Sequence, residues 1–290
     1  MKRLMIFFIF VVSIQAVFAQ EITGKSGDKR MDSLKMLLSK PAKPMDRYNL
    51  LLEIGNGYYT YGIGENNAHY ILEMLRIALQ QKSDSLVAKS YNFAGDYYLF
   101  EMEDYNTALD YLFKAIPYAE KINDKRSISS LYSDISLAYA LLENQPQQLR
   151  FIQKAEANLP DTTNPEYDYV LLQIKLQYGF YYALVHQPTM AIPYLNAATE
   201  LNVKLNYPIF DSYIKSVFGN VYHQLGDDDF AAVYFKKGLL TEKQISFPYP
   251  KAIFKYYYTD FLISTDNYAE AQKQAEALLF LGQQTHDKPR

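Results

Sequence analysis

Apolar residues along most of this chain fall in pairs of short helical stripes separated by a turn. Over residues 212–240, Ile214, Phe218, Val221, Tyr222 and Leu225 sit at i, i+4, i+7, i+8 and i+11, one face of a helix. Gly226, Asp227 and Asp228 break that helix, and a second stripe follows at Ala231, Tyr234, Phe235, Gly238 and Leu239. A hairpin of two short helices cannot bury such stripes alone, whereas copies stacked side by side can. The same pattern predicts hairpins over 45–81, 85–123, 124–159, 166–206, 208–246 and 251–281. The first is degenerate, because Gly55-Asn56-Gly57 and Gly62-Ile63-Gly64 blur its first helix and read as loop. A polar lead and a short amphipathic helix over 30–40 occupy 20–44, and 282–290 is a polar tail.

The register is internally consistent. The small residue opening the second helix recurs as Ala191, Ala231 and Ala271, at steps of 40. A later small or apolar position recurs as Ala155, Ala198, Gly238 and Leu278, at steps of 43, 40 and 40. Gly95 to Ala108 is one residue longer than Gly179 to Ala191, which places an insertion in that turn. Pro146 and Pro188 fall in turns within hairpins, and Pro160, Pro165, Pro208, Pro248 and Pro250 between them, where a missing N–H costs least. Pro193 is expected in the first turns of its helix, and Pro117 is expected to kink or end its own. Repeat packing is assigned to Gly95, Ala108, Ala115, Ala155, Gly179, Tyr182, Ala191, Ala198, Gly219, Tyr222, Ala231, Gly238 and Ala271.

Gly219, Tyr222, Ala231 and Phe235, with Gly179, Tyr182, Ala191, Leu195 and Ala198 as the nearest copy, resemble the tetratricopeptide repeat. That resemblance implies an all-α fold: a right-handed superhelical solenoid of helix-turn-helix repeats over 45–281, here with a period of about 40 residues against the family's ~34. The family's tryptophan on the first helix is missing. The layout is also similar to the extracytoplasmic repeat region of bacterial histidine kinases and related signalling proteins.

Composition changes the picture at three points. Lys2 and Arg3 precede an apolar run over 4–12, and Val17-Phe18-Ala19 sets small residues at a cleavage site before Gln20. Residues 1–19 are therefore expected to be a cleaved secretory signal. Ser13 and Gln15 interrupt the run, leaving it short of the ~20 residues of a retained span. The mature chain is then expected at the periplasmic or extracellular face of a bacterial envelope, with no further membrane span. A net charge of −3 offers no basic excess to hold a nucleic acid. With no cysteine, disulfides, thiolate metal sites and a cysteine nucleophile are excluded.

No motif points to catalysis, and no cofactor or metal is predicted. His69, His186, His223 and His286 have no histidine partner at i+3 or i+4. The glycine pairs lack the strand and lysine of a phosphate loop. Asp227, Asp228 and Asp229 lack the alternation of a calcium loop and suit a solvated turn that caps the next helix.

Stacked hairpins leave the first helix of each lining an inner face. Off the packing stripe, that helix carries Asn92 and Asp96, then Ser133 and Asp134, then Gln173 and Gln177. Further along come Tyr213, Asn220 and His223, then Tyr256, Tyr257 and Asp260. Amides, carboxylates and aromatics of this kind suit a peptide or a partner's helix. On the last helix, Ala271, Ala275, Leu278, Leu279 and Leu281 form an apolar stripe with no polar capping helix after it. That face is expected to meet a partner, a second copy, or a continuation of the chain past Arg290.

The sequence thus reads as an exported, non-catalytic scaffold binding a protein or peptide, in extracytoplasmic sensing or envelope assembly. The alternative is the input portion of a histidine-kinase-type protein whose output domain lies elsewhere. A secreted all-α hydrolase is the remote alternative, since paired acids at a rim need longer loops than these.

Overall fold

The computed structural model describes residues 24–61, 68–100, 102–242 and 248–286. Among them the regular structure is helical: α1 (Gly24–Leu38), α2 (Pro44–Tyr61), α3 (Ala68–Gln80), α4 (Asp84–Phe100), α5 (Tyr105–Lys121), α6 (Lys125–Leu141) and α7 (Gln145–Ala157). There follow α8 (Tyr167–Leu184), α9 (Pro188–Leu205), α10 (Pro208–Gln224), α11 (Asp228–Glu242), α12 (Pro248–Ser264) and α13 (Tyr268–His286). The expected signal segment 1–19 and Gly62-Ile63-Gly64 lie outside the described residues.

The helices divide between two compact units, α1–α5 and α6–α13. In the first, each helix packs on the next in sequence. In the second, α6 pairs with α7, α8 with α9, α10 with α11 and α12 with α13. Each first helix also packs on the next first helix, α6 on α8, α8 on α10 and α10 on α12, and against the second helix of the preceding hairpin. Among the described residues no second helix touches another second helix. The first helices therefore form the closer-packed, inner layer of this unit.

One turn is used within each hairpin of α6–α13. Glu143, His186, Gly226 and Asp266 take left-handed backbone, with φ of 55°, 55°, 77° and 60°. The residue after each sends its N–H back to a carbonyl five residues earlier: Asn144 to Tyr139 (2.8 Å), Gln187 to Tyr182 (2.9 Å), Asp227 to Tyr222 (2.9 Å) and Asn267 to Leu262 (2.8 Å). Two of these residues then start the second helix, Asn144 accepting from Gln147 N at 3.2 Å and Asp227 from Phe230 N at 3.2 Å. The α4–α5 turn is one residue longer, as the Gly95–Ala108 spacing requires. There Asp104 donates its N–H to Tyr98 O at 2.9 Å and accepts from Thr107 N at 3.1 Å. The first helices of α6–α13 run 17, 18, 17 and 17 residues. That is nearly five turns each, and it is where the long repeat period resides.

Inside each hairpin the packing explains the recurring small residues. A Cβ on Gly219 would lie 2.6 Å from Phe235 Cζ, and one on Gly179 would lie 2.6 Å from Leu195 Cδ2. Ser136 stands at the equivalent place on α6, and its hydroxyl donates to Gln148 O at 3.1 Å. The tyrosine near the end of the first helix stacks on an aromatic ring of the second: Tyr98 on Tyr111 (5.3 Å), Tyr139 on Phe151 (5.4 Å), Tyr182 on Tyr194 (5.5 Å) and Tyr222 on Tyr234 (5.4 Å). Lys114, Lys154 and Lys237, each three residues after the stacked ring, place their ammonium groups 5.1, 5.0 and 5.8 Å from its centre. Ala108, Ala115, Ala155, Ala191, Ala198 and Ala231 are fully buried.

Three local expectations need correction. Gly55-Asn56-Gly57 lies within α2 rather than in a loop, and Gly55 admits the Phe93 ring, whose Cζ sits 2.1 Å from where a Cβ would be. Of the two outcomes expected at Pro117, ending the helix does not occur, since α5 runs on to Lys121. Part of the polar lead is helical, since α1 opens at Gly24.

Candidate functional site

The inner layer of α6–α13 is where buried hydrogen-bonding groups concentrate. Ser133, Asp134, Gln173, Gln177 and Tyr213 are all buried in it, between neighbouring first helices. Gln177 donates through Nε2 to Ser133 O at 3.3 Å, tying α8 to α6. Its Oε1 has no partner, nor do either amide atom of Gln173, Ser133 Oγ and Tyr213 OH. Gln173 and Gln177 stand one helical turn apart on α8, so their amides project from the same face. Toward the α12 end the layer opens: Asn220, His223, Tyr256 and Tyr257 are half-buried and Asp260 is exposed.

Burial and crowding of phenols set the electrostatics. Burial pushes the Tyr213 hydroxyl well up, with the Tyr257 hydroxyl adding to it. Tyr257 is raised by burial, then by Tyr256 and Asp260. Tyr256 is raised by burial and by Asp260. All three remain neutral donors at ordinary pH. His223 is paired rather than open, its Nδ1 lying 2.7 Å from Asp228 Oδ1 and its ring edge-on to Phe261 at 5.5 Å.

Of the twelve face residues read from sequence, ten lie in α6–α13. Asn92 and Asp96 lie on α4 in the other unit, where Asn92 Nδ2 donates to Asp96 Oδ1 at 3.2 Å and burial raises the Asp96 carboxyl well above its usual range. Sequence reasoning missed Thr259 Oγ1, Ser212 Oγ and Gln224 Oε1, which are also buried without partners. Ser212 is 40 residues from Leu172, and Thr259 is 40 from Gly219, so the repeat period marks their positions but not their exposure.

On the last helix, Ala271 is buried in the packing, while Ala275 faces outward and Leu279 is 63% exposed. Phe280, 59% exposed, joins them although the stripe did not include it. In the α1–α5 unit an open cavity of about 260 Å³ is lined by Lys35, Leu38, Ser39, Arg47, His69, Tyr70 and Glu73. Arg47 and Glu73 in its wall are bonded to each other at 2.6 and 3.0 Å. Among the described residues no three His, Asp or Glu side chains are grouped to hold a metal ion, and no helix is long and apolar enough to cross a membrane.

No family model matches the sequence, and no curated protein matches it. Solved structures do. The apo form of RapI is 12% identical with a TM-score of 0.65, covering 90% of this chain and 92% of that one. A Rap protein complexed with competence and sporulation factor is 15% identical at a TM-score of 0.61, covering 91% and 78%. BtubC from P. vanneervenii is 12% identical at a TM-score of 0.57, covering 76% and 89%. The fold is tetratricopeptide-like. At these identities the likeness is one of fold.

Proposed function

We propose that this chain is an exported, non-catalytic scaffold that binds a peptide or an extended protein segment across the inner face of α6, α8, α10 and α12. The observation that carries the reading is the open α10–α12 end of this layer, where Asn220, Tyr256 and Tyr257 are half-buried and Asp260 is exposed, leaving an amide, two phenols and a carboxylate within reach of a partner. An extended peptide offers N–H and C=O groups to such an amide and such phenols, whose rings flank its side chains. Support for a peptide also comes from the Rap protein of the same fold solved with competence and sporulation factor. Export is supported by the basic head, apolar run and cleavage pattern of residues 1–20. The similarity in layout to extracytoplasmic sensor regions points to a sensing role.

A photo-crosslinking amino acid placed at Asn220, on the inner face, and at Leu240, on the outer surface, tests this in the full chain expressed in its own envelope. A partner captured from position 220 and not from 240 is the expected result. Equal capture from both, or from neither, removes the inner face as the binding surface. Mass spectrometry of the recovered chain checks export, with Gln20 as the expected first residue.

A further inference from the structure

The α10–α12 end of the inner face differs from the rest in carrying a carboxylate with no cation of its own. Asp260 is exposed and has no ion-pair partner among the described residues. Lys255 and Lys215, on the same two helices, are committed elsewhere, and Lys251 stands nine residues before Asp260 near the start of α12. Lys255 lies 3.4 Å from Glu242 and 3.1 Å from Gln274 Oε1, and Lys215 is paired with Asp211. One turn before Asp260 stand Tyr256 and Tyr257, their rings 5.5 Å apart and inclined at 65°. Both rings are half-buried.

From this grouping we infer that the α10–α12 end is a subsite for a basic side chain of the bound peptide. The inference rests on the peptide-binding reading above and deepens it. A guanidinium or ammonium group meets here the three things it needs on leaving water. The Asp260 carboxylate supplies a counter-charge through charge-assisted hydrogen bonds. The half-buried Tyr256 ring supplies a cation–π surface. The hydroxyl of half-buried Tyr257, neutral at ordinary pH, accepts a remaining N–H donor. An acidic side chain would meet Asp260 and be repelled. An apolar one would leave the phenol oxygens unbonded.

The test uses four pools of acetylated, amidated, fluorescein-labelled nonapeptides, randomised except for one central position fixed as arginine, lysine, citrulline or glutamate. Citrulline keeps the shape of arginine and removes its charge. Binding to the full chain is read by fluorescence anisotropy for wild type, Asp260→Asn and Tyr256→Leu. The arginine or lysine pool is expected to bind about tenfold more tightly than the citrulline pool, as one charge-assisted pair gives. Asp260→Asn should bring that ratio to about one, and Tyr256→Leu should reduce it by several-fold. Equal binding of basic and citrulline pools to wild type, or a ratio that survives Asp260→Asn, overturns the subsite while leaving peptide binding intact. Absence of binding by every pool overturns the peptide reading itself and the subsite with it. Asp260 is exposed, so the melting temperature of Asp260→Asn should match wild type and separate a binding effect from a folding one.

Discussion

Two kinds of seam run through α6–α13. The seam between the two helices of one hairpin is lined by glycines against Leu195 and Phe235, by fully buried alanines, and by tyrosines stacked flat on rings across the gap. Ser136 in that seam finds a partner at Gln148 O, while Thr259, at the place of Gly219 on α12, does not. Between one first helix and the next, the seam holds Gln173, Gln177, Ser133 and Tyr213, with polar atoms left unbonded. Both seams are equally hidden from water, so exposure does not explain the difference. Dry complementary packing sets register and stability. Unbonded buried groups oppose stability.

The largest expected effect comes from breaking the dry seam. Phe235 is fully buried, packs on Gly219 within its own hairpin, and reaches past the seam to Phe254, Phe261 and Tyr258 of α12, with ring centres 6.2, 5.1 and 5.3 Å away. Phe235→Ala should destabilise by about 3–5 kcal/mol, measured by urea or thermal unfolding. A loss under ~1 kcal/mol would mean the seam collapses freely and is not the organising contact. Next, Gly219→Val should cost about 1–3 kcal/mol by driving a branched side chain into the Phe235 ring. Combining it with Phe235→Leu should recover part of that loss, since the two sites share one contact.

These dry contacts are also the part of the molecule most legible in the sequence. Gly179, Gly219, Ala191 and Ala231 recur because two helices must approach closely at one point per hairpin, and a local periodicity records that demand. The all-α class and the pairing of helices follow from it. The state of Gln173 and Tyr213 was not legible. Whether an off-stripe residue is sealed or open depends on how far one hairpin rotates on the next, which no spacing within a repeat encodes. Gly55 shows the same limit from the other side: as a sequence it reads as loop, but Phe93, 38 residues later, fills the space it leaves within α2.

The polar seam gives an effect of opposite sign. Gln173→Leu replaces both unbonded amide atoms with an apolar group of similar volume. It should raise stability by about 1–2 kcal/mol, visible as a higher melting temperature. A loss of stability instead would mean the Gln173 amide is bonded, and the contrast between seams would fail at its central residue.

The smallest effect tests whether a polar group that does have its partner behaves in the contrary way. Arg47 on α2 grips Glu73 on α3 through Nε and Nη2 and donates Nη1 to Leu38 O at 2.7 Å. The Arg47 hydrogen bond holds the Glu73 carboxyl below its ordinary value of 4.5, against the opposing effect of burial. With the folded value depressed, the unfolded chain binds more protons in the acid range. The contribution is therefore complete above the unfolded value and lost as pH falls through the folded one. Glu73→Gln should cost about 1 kcal/mol at neutral pH and flatten the acid limb of the stability profile. A variant with an unchanged acid limb would show that the pair contributes nothing, and a satisfied polar contact would then differ less from an orphaned one than the two seams imply.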